Sequence, residues 1–350
     1  MKNLVFTILI AIIFSPLVLS QQADPGQMII TGFKGTSIKD PKIIKLKKLI
    51  DRKAIGGVIV FKRNVENKSQ LTTLIQYLSQ DTPIFVAIDH EGGIVNRLTH
   101  PSFNLKTPSP ELFCKLSKEK QEKFAGQISK TLKEMGINVN LGGVVDVAPL
   151  IYPSSICKYK RCFSDSQERI TSCTSVLFDA HKHHQLFFAL KHFPGHGSTP
   201  VDSHYDLPDI TNSHSEYDFM PYFKVVDPNS KFNMVMIGHL MNNQVDPKYP
   251  ASLSKKHIKK LTHDLSYDGL IITDDLNMGA LYTVSKNKVK IATIAAQAGN
   301  HLLLFEYLTF DEINRISMGI KQRAKQDDQL TKHIETSSKR IIDALSLNDT

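Results

Sequence analysis

The sequence predicts an α/β fold, a single TIM-like (β/α)8 barrel, on three observations. Short apolar runs alternate with longer amphipathic segments, about eight times in roughly 330 residues. The short runs are continuously apolar, as parallel strands are when helices cover both faces of their sheet. Charged and titratable residues gather just after those runs, at the strand ends where such barrels build their sites. A doubly wound open sheet shares the first two features, and periodicity alone does not exclude it.

In chain order, the first segment stands outside the fold. Residues 1–20 have a basic start at Lys2, an apolar stretch from Leu4 to Leu19 and small residues ahead of Gln21. That pattern predicts a signal peptide, with an uncleaved N-terminal anchor as the alternative. No Cys lies near the cut, which argues against a lipoprotein. Residues 21–350 read as one domain, with no long linker, low-complexity tract or internal repeat.

Strands are expected at "MIITGF" (28–33), "GGVIVF" (56–61), "PIFVAID" (83–89), "INVNLGGVVDV" (137–147), "FFALKHF" (187–193), "FNMVMIGHL" (232–240), "DGLIITDDL" (268–276) and "NHLLLF" (300–305). Each is a short apolar run, mostly β-branched or aromatic. Between most of them the apolar residues recur at helical spacing, which predicts helices at 43–51, 69–78, 117–135, 167–183, 255–265, 288–298 and 311–324. In the first of these, Ile43, Ile44, Leu46, Leu49 and Ile50 supply the apolar side and lysines the other.

Composition narrows the functional class. The 350 residues are 41% hydrophobic, which is ordinary globular composition. The formal charge of +9 is modest for this length, and much of it lies on helix faces such as 42–53. A solvated face explains it, and loose attraction to an anionic cell envelope is the sharper alternative. No nucleic-acid motif is present, and no stretch beyond the first is long and apolar enough to span a bilayer. The expected protein is exported, periplasmic or secreted, without stable membrane insertion after signal cleavage, and monomeric. In an oxidising compartment Cys157 and Cys162, which flank "KYKR", can close a small disulfide. Cys114 and Cys173 either pair or stay as buried thiols, and neither spacing is that of a structural zinc site.

The polar rim carries the chemistry. Asp89, His90 and Glu91 follow the third run, Asp146 the fourth, Lys191 and His192 the fifth, His239 the sixth, and Asp274 and Asp275 the seventh. After the fifth run the segment "KHFPGHGSTPVDSH" concentrates His192, His196, Asp202 and His204 in one loop. A metal hydrolase would draw ligands from these histidines and Asp89 or Asp274, but no H-x-H follows the first strand and no HExxH helix occurs. No metal or other cofactor is therefore expected. A phosphate-binding lyase would want a glycine-rich loop near the last strands, and "AGNHLLLF" offers little of one. Glycoside hydrolysis needs a carboxylate for an oxocarbenium-like centre and a proton donor for the leaving oxygen. Asp274 or Asp275 supplies the first. In an extended segment Asp202 and His204 point the same way, so Asp202 can orient the imidazole and raise its basicity. Such an imidazole can give a proton near neutrality and later take one from water.

The segments "KHFPGHGSTPVDSH" (191–204), "AIDHEGGIVNRL" (87–98) and "IITDDLNMGA" (271–280) resemble glycoside hydrolase family 3, in its bacterial β-N-acetylhexosaminidase (NagZ-type) branch. Weaker likeness comes from "GGVIVFKRN", "GINVNLGGVVDVAP" and "AGNHLLLF", so that the resemblance runs from about residue 28 to about 305 in the family's order. It implies a single-domain barrel and a retaining hydrolase acting on N-acetylglucosamine-containing glycans. It implies Asp274 as the nucleophile that forms a glycosyl-enzyme, and His204 as general acid/base with Asp202 as its dyad partner. Asp89, Arg97, Arg161, Lys191 and His192 are implied as sugar-binding residues. Neighbours on a strand face opposite ways, so Asp274 and Asp275 do not both face the sugar, and only the resemblance selects Asp274.

Other polar residues have plainer readings. His196, between two glycines, shapes the loop. Asp146 and His239 are rim hydrogen-bonders, Glu91 is either a second acid or a residue that packs and bonds to the Gly-Gly turn, and His181, His183 and His184 lie on a helix surface. The glycines and prolines after the fifth strand predict a mobile loop that carries the dyad. Two features depart from the branch: "LGGVVDVAP" stands where "APVVDV" is usual, and the expected export shifts the substrate toward peptidoglycan fragments, chitin-type oligosaccharides or host glycans. The rivals are a β-glucosidase or β-xylosidase, a phosphorolytic enzyme with the same dyad, and a non-catalytic carbohydrate-binding protein.

Overall fold

The computed structural model describes residues 23–148, 154–227 and 230–347; the expected signal peptide lies outside the described residues. Eight strands form one parallel sheet: β1 (Ile29–Gly32), β2 (Gly57–Val60), β3 (Phe85–Ile88), β4 (Val139–Val144), β5 (Phe187–Phe193), β6 (Asn233–Ile237), β7 (Leu270–Thr273) and β8 (Leu303–Phe305). Each falls inside the apolar run that predicts it. Neighbours pair in chain order from β1 to β7, and β8 pairs with β1. At the remaining seam, Ile272 bridges Leu302 and the Thr273 N–H donates to the Leu302 carbonyl at 3.0 Å. The sheet thus returns on itself as a nearly closed barrel, which decides against the open doubly wound alternative.

Around it lie α1 (Pro41–Asp51), α2 (Lys68–Ser79), α3 (Pro110–Cys114), α4 (Lys118–Glu134), α5 (Gln167–His183), α6 (Glu216–Val225), α7 (Lys255–Lys259), α8 (Lys288–Ala298), α9 (Phe310–Ala324) and α10 (Asp328–Ser346). Every strand residue is buried, as expected for a sheet with side chains inside and helices outside. Three helices have no counterpart in the sequence reading: α3, α6 and α10. Pro221 and the aromatic residues on several sides of α6 blur its periodicity, although Ser215 and Asp218 form a capping box at its start. The helix expected at 255–265 ends early as α7 and continues as a π-helical turn from Lys260 to Asp264.

α10 buries Leu330, Ile334, Ser337, Ile341 and Ala344, spaced three to four apart. Its C-terminal half lies against residues that precede β1, β2 and β3, namely Gln27, Ile55 and Pro83, and Arg340 reaches the Asp268 carbonyl ahead of β7 at 2.6 Å. It therefore covers the N-terminal end of the barrel, opposite the rim that carries the titratable groups.

His181 corrects the surface reading of the histidine cluster. It is fully buried, stacks on Phe188 of β5 and shares a 3.0 Å hydrogen bond with Asn140 of β4. His183 is exposed and His184 half-buried. All four cysteines pair. Cys114–Cys173 ties α3 to α5 with its Cα atoms 5.4 Å apart, and Cys157–Cys162 closes a ring around "KYKR" with 4.8 Å. The small ring rests on its own apolar cluster of Val144, Ile156 and Cys162.

Candidate active site

The C-terminal strand ends converge on two linked polar layers. In the first, β3 ends at Ile88, and the chain turns through Asp89, His90 and Glu91 into a Gly92–Gly93 turn. Both glycines have positive φ, and a Cβ on Gly92 would lie 2.1 Å from the Pro108 carbonyl oxygen, so the turn requires glycine. The Glu91 side chain is 0% exposed and does not bond to that turn, which corrects the sequence reading. Its carboxylate accepts from Arg161 Nε at 2.8 Å, from a second Arg161 nitrogen at 2.9 Å and from Lys191 Nζ at 2.7 Å. Lys191 also reaches Asp89 at 3.2 Å, and Asp89 accepts from Arg97 at 3.1 Å. Four of the expected sugar-binding residues, Asp89, Arg97, Arg161 and Lys191, thus stand in one ion-pair chain around Glu91.

The charges in this chain hold each other in place. Burial penalises the Glu91 carboxylate, but Arg161 and Lys191 outweigh it and hold the pKa at about 2. Burial likewise works against the Lys191 ammonium, and Glu91 and Asp89 raise its pKa all the same. Arg161 rises for the same reason, with Glu91 as its main partner.

The second layer is built on β5. The Lys191–His192 and Phe193–Pro194 peptide bonds are cis. His192 Nδ1 bonds the Asp146 carboxylate at 2.7 Å, and the backbone N–H groups of His192 and His196 donate to its other oxygen at 3.1 and 2.7 Å. A carboxylate at Nδ1 places that proton there, so His192 Nε2 is left for other partners. Asp146 follows β4 and is fully buried; burial works against its charge, and His192 outweighs it to lower the pKa. It is a hydrogen-bonder, as the sequence reading has it, and it orients His192.

β7 delivers Asp274 and Asp275. The two differ as neighbours on a strand must. Asp275 Oδ1 accepts from the Asn277 and Glu306 amides at 2.9 and 2.8 Å, which turns it toward the end of β8. Burial raises its pKa to about 6, with the charges of Asp274 and Glu306 adding to the effect. Asp274 accepts from the Asp275 amide at 2.8 Å. Burial opposes its charge too, yet His192, His239, that amide and Lys191 bring its pKa down to about 2. One carboxyl is kept ionised and the other pushed toward neutrality, a separation suited to distinct roles. His239 is fully engaged by Ser252 at 2.7 Å and the Asp275 carbonyl at 2.8 Å, as a rim hydrogen-bonder.

The loop after β5 supplies the dyad. His204 Nδ1 bonds Asp202 Oδ1 at 2.7 Å, and the His204 amide donates to the same oxygen at 3.0 Å. Residues 203–205 form a turn, not the extended segment that the sequence reading assumed. The turn still brings the two side chains together, because Asp202 caps the amide two residues on. Burial opposes the Asp202 charge, and the His204 amide and imidazole outweigh it. The imidazole is 64% exposed, with Nε2 away from Asp202. The loop carbonyls of Ser203 and His204 accept from Ala280 and Gly279, so the loop that carries the dyad docks on the turn that follows β7 and Asp274 in the chain. Among the described residues, no group of three or more His, Cys, Asp or Glu is arranged to hold a metal ion.

A family model described as "Glycosyl hydrolase family 3 N terminal domain" matches residues 26–344, nearly all of this barrel. The chain belongs to glycosyl hydrolase family 3. Among its relatives it is 32% identical over 262 residues to beta-hexosaminidase A of Pseudoalteromonas piscicida, covering 68% of this chain and 43% of that protein. It is 30% identical over 290 residues to the beta-hexosaminidase of Haemophilus ducreyi, covering 79% of this chain and 80% of that one. Among solved structures, a family 3 beta-N-acetylglucosaminidase from Paenibacillus sp. superposes with a TM-score of 0.79 at 24% identity, over 95% of this chain and 64% of its own. A beta-N-acetylhexosaminidase from Beutenbergia cavernae superposes with a TM-score of 0.80 at 20% identity, over 94% of this chain and 99% of its own. These two likenesses show a shared barrel fold. The chain spans less than half of the Pseudoalteromonas protein and under two thirds of the Paenibacillus one.

The family assignment leaves two site residues that the sequence reading undervalued. The Glu91 and Asp146 side chains are fully buried, and they hold Arg161, Lys191 and His192. Their sequence signal is only a carboxylate at a strand end, which does not tell a positioning group from a ligand.

Proposed function

We propose that this family 3 glycoside hydrolase is a retaining β-N-acetylhexosaminidase that removes terminal, non-reducing β-linked N-acetylglucosamine from peptidoglycan fragments or chitin-type oligosaccharides. The observation that carries the reading is the Asp202–His204 dyad, docked on the turn beyond β7 with its imidazole largely exposed, together with Asp274 held as a carboxylate. In the first step an Asp274 oxygen bonds to the anomeric carbon while the bond to the leaving oxygen breaks. The proton on His204 Nε2 passes to that oxygen. In the second step the neutral imidazole takes a proton from water, the water oxygen bonds to the anomeric carbon, and the ester to Asp274 breaks. Asp202 keeps the imidazole in the tautomer that serves both steps. Asp89, Arg97, Arg161, Lys191 and His192 bind the sugar in this scheme.

The relatives named beta-hexosaminidase favour an acetamido sugar over a glucoside. Two disulfides in one chain favour an exported protein, in keeping with the signal peptide read at 1–20. The test is release of 4-nitrophenol from its β-N-acetylglucosaminide and its β-glucoside, by wild type and Asp274→Ala. Activity on the acetamido sugar alone, lost in the variant, is the expected result. Activity on the glucoside alone, or activity that survives Asp274→Ala, overturns the reading. Adding inorganic phosphate and assaying sugar 1-phosphate separates hydrolysis from phosphorolysis.

A further inference from the structure

We propose that Gly279 is a positioning residue for acid/base catalysis: its lack of a side chain lets the loop carrying His204 dock on the backbone beyond β7. The inference rests on the reading of His204 as the acid/base. The first support is where the imidazole's position comes from. The His204 side chain is 64% exposed, so packing around the ring does not place it. The turn is tied together internally, since the Tyr205 and Asp206 amides both donate to the Asp202 carbonyl at 3.0 and 3.1 Å, and Asp202 holds the His204 amide and Nδ1. The imidazole therefore goes where the turn goes.

The turn is held by backbone contacts on one side and a buried side chain on the other. The Gly279 N–H donates to the His204 carbonyl at 3.0 Å, and the Ala280 N–H to the Ser203 carbonyl at 3.2 Å. A Cβ on Gly279 would lie 2.5 Å from the Tyr205 carbonyl oxygen and 2.8 Å from that of His204. Both are main-chain atoms that cannot swing aside, so any side chain must push the turn away. Gly279 has no positive φ, so close approach and not backbone conformation is what calls for glycine there. Opposite, Ser203 Oγ bonds Nε2 of the buried His196 at 3.1 Å, and the His196 amide is pinned by Asp146 at 2.7 Å. Burial holds the His196 pKa at about 4, so this contact stays uncharged at neutral pH. The same Asp146 orients His192, which joins the loop's anchor to the sugar-binding layer.

An undocked loop removes the proton donor without touching Asp274, and leaving-group dependence reads that out. A dinitrophenolate departs without a proton, whereas a sugar hydroxyl needs one. The experiment measures kcat/KM of Gly279→Ala, His204→Ala and wild type on 2,4-dinitrophenyl N-acetyl-β-glucosaminide and on N,N′-diacetylchitobiose. For Gly279→Ala the expected result is a loss of about 10- to 100-fold on the disaccharide, with a change of no more than about twofold on the dinitrophenyl glycoside. Azide, a nucleophile that needs no base, is expected to raise kcat on the dinitrophenyl substrate for Gly279→Ala and for His204→Ala alike.

Equal loss on both substrates, or no loss on either, overturns the docking role. If His204→Ala itself treats the two leaving groups alike, the acid/base reading falls first; if it discriminates and Gly279→Ala does not, only the docking inference falls. Should Gly279→Ala fail to fold, Ser203→Ala takes its place. It is expected to show the same discrimination in weaker form, and its absence overturns the inference.

Discussion

At the rim, single carboxylates are told apart by the groups that surround them. Asp274→Asn is expected to lose about 10⁴-fold or more in kcat, while Asp275→Asn keeps most of the activity, since an amide oxygen can still accept from Asn277 and Glu306. Kinetics on the nitrophenyl acetamido sugar separates them. Asp275 also has a stability signature. Its folded-state pKa is raised to about 6, so its ionisation costs stability as pH rises from about 4 to about 6. Urea unfolding of Asp275→Asn is expected to gain on wild type across that window, by about 2 kcal/mol. Glu91 has the opposite sign. Its pKa is lowered from 4.5 to about 2, so its contribution is present above the first value and is lost as pH falls through the second. Glu91→Gln takes from Arg161 its ion-pair partner and leaves Lys191 with Asp89 alone, and a loss of about 3–5 kcal/mol at pH 7 is expected. The same variant flattens the acid limb of the stability curve between pH 4.5 and about 2.

Among the elements, the two disulfides do different work. Cys114–Cys173 closes 59 residues of sequence separation and Cys157–Cys162 only 5. Loop-closure entropy makes the first worth about 4 kcal/mol and the second about 2 kcal/mol. Replacing the first pair by serine is thus expected to lower the melting temperature more. The small ring contains Arg161, whose guanidinium pairs with Glu91. Replacing Cys157 and Cys162 by serine is therefore expected to raise KM with less effect on kcat, as steady-state kinetics would read. An unchanged KM would mean that Glu91 alone holds the arginine.

The whole molecule separates stability from chemistry along the barrel axis. Every group of the proposed site sits at the C-terminal strand ends, while α10 covers the other end. Ile341→Ala removes buried volume there and is expected to cost about 2–4 kcal/mol. Because the cavity is remote from the rim, KM and kcat measured well below the melting temperature are expected to match wild type. A changed KM would show that the two ends are mechanically linked.

The barrel was legible because parallel strands buried on both faces need continuous apolar runs, and all eight strands lie within theirs. The dyad was legible because Asp202 and His204 are local: a turn or a strand brings residues two apart together. Long-range pairing was not. Nothing near Glu91 in the chain announces Arg161, 70 residues away, and nothing near His181 announces Asn140. The choice between Asp274 and Asp275 belongs to the same class, because the Glu306 amide that engages Asp275 arrives with β8. Residue order alone determined the α/β class, the eight strands and the titratable groups that follow them. Only the closed barrel, by bringing separate strand ends within hydrogen-bond distance, decided which of those groups are held, and by what.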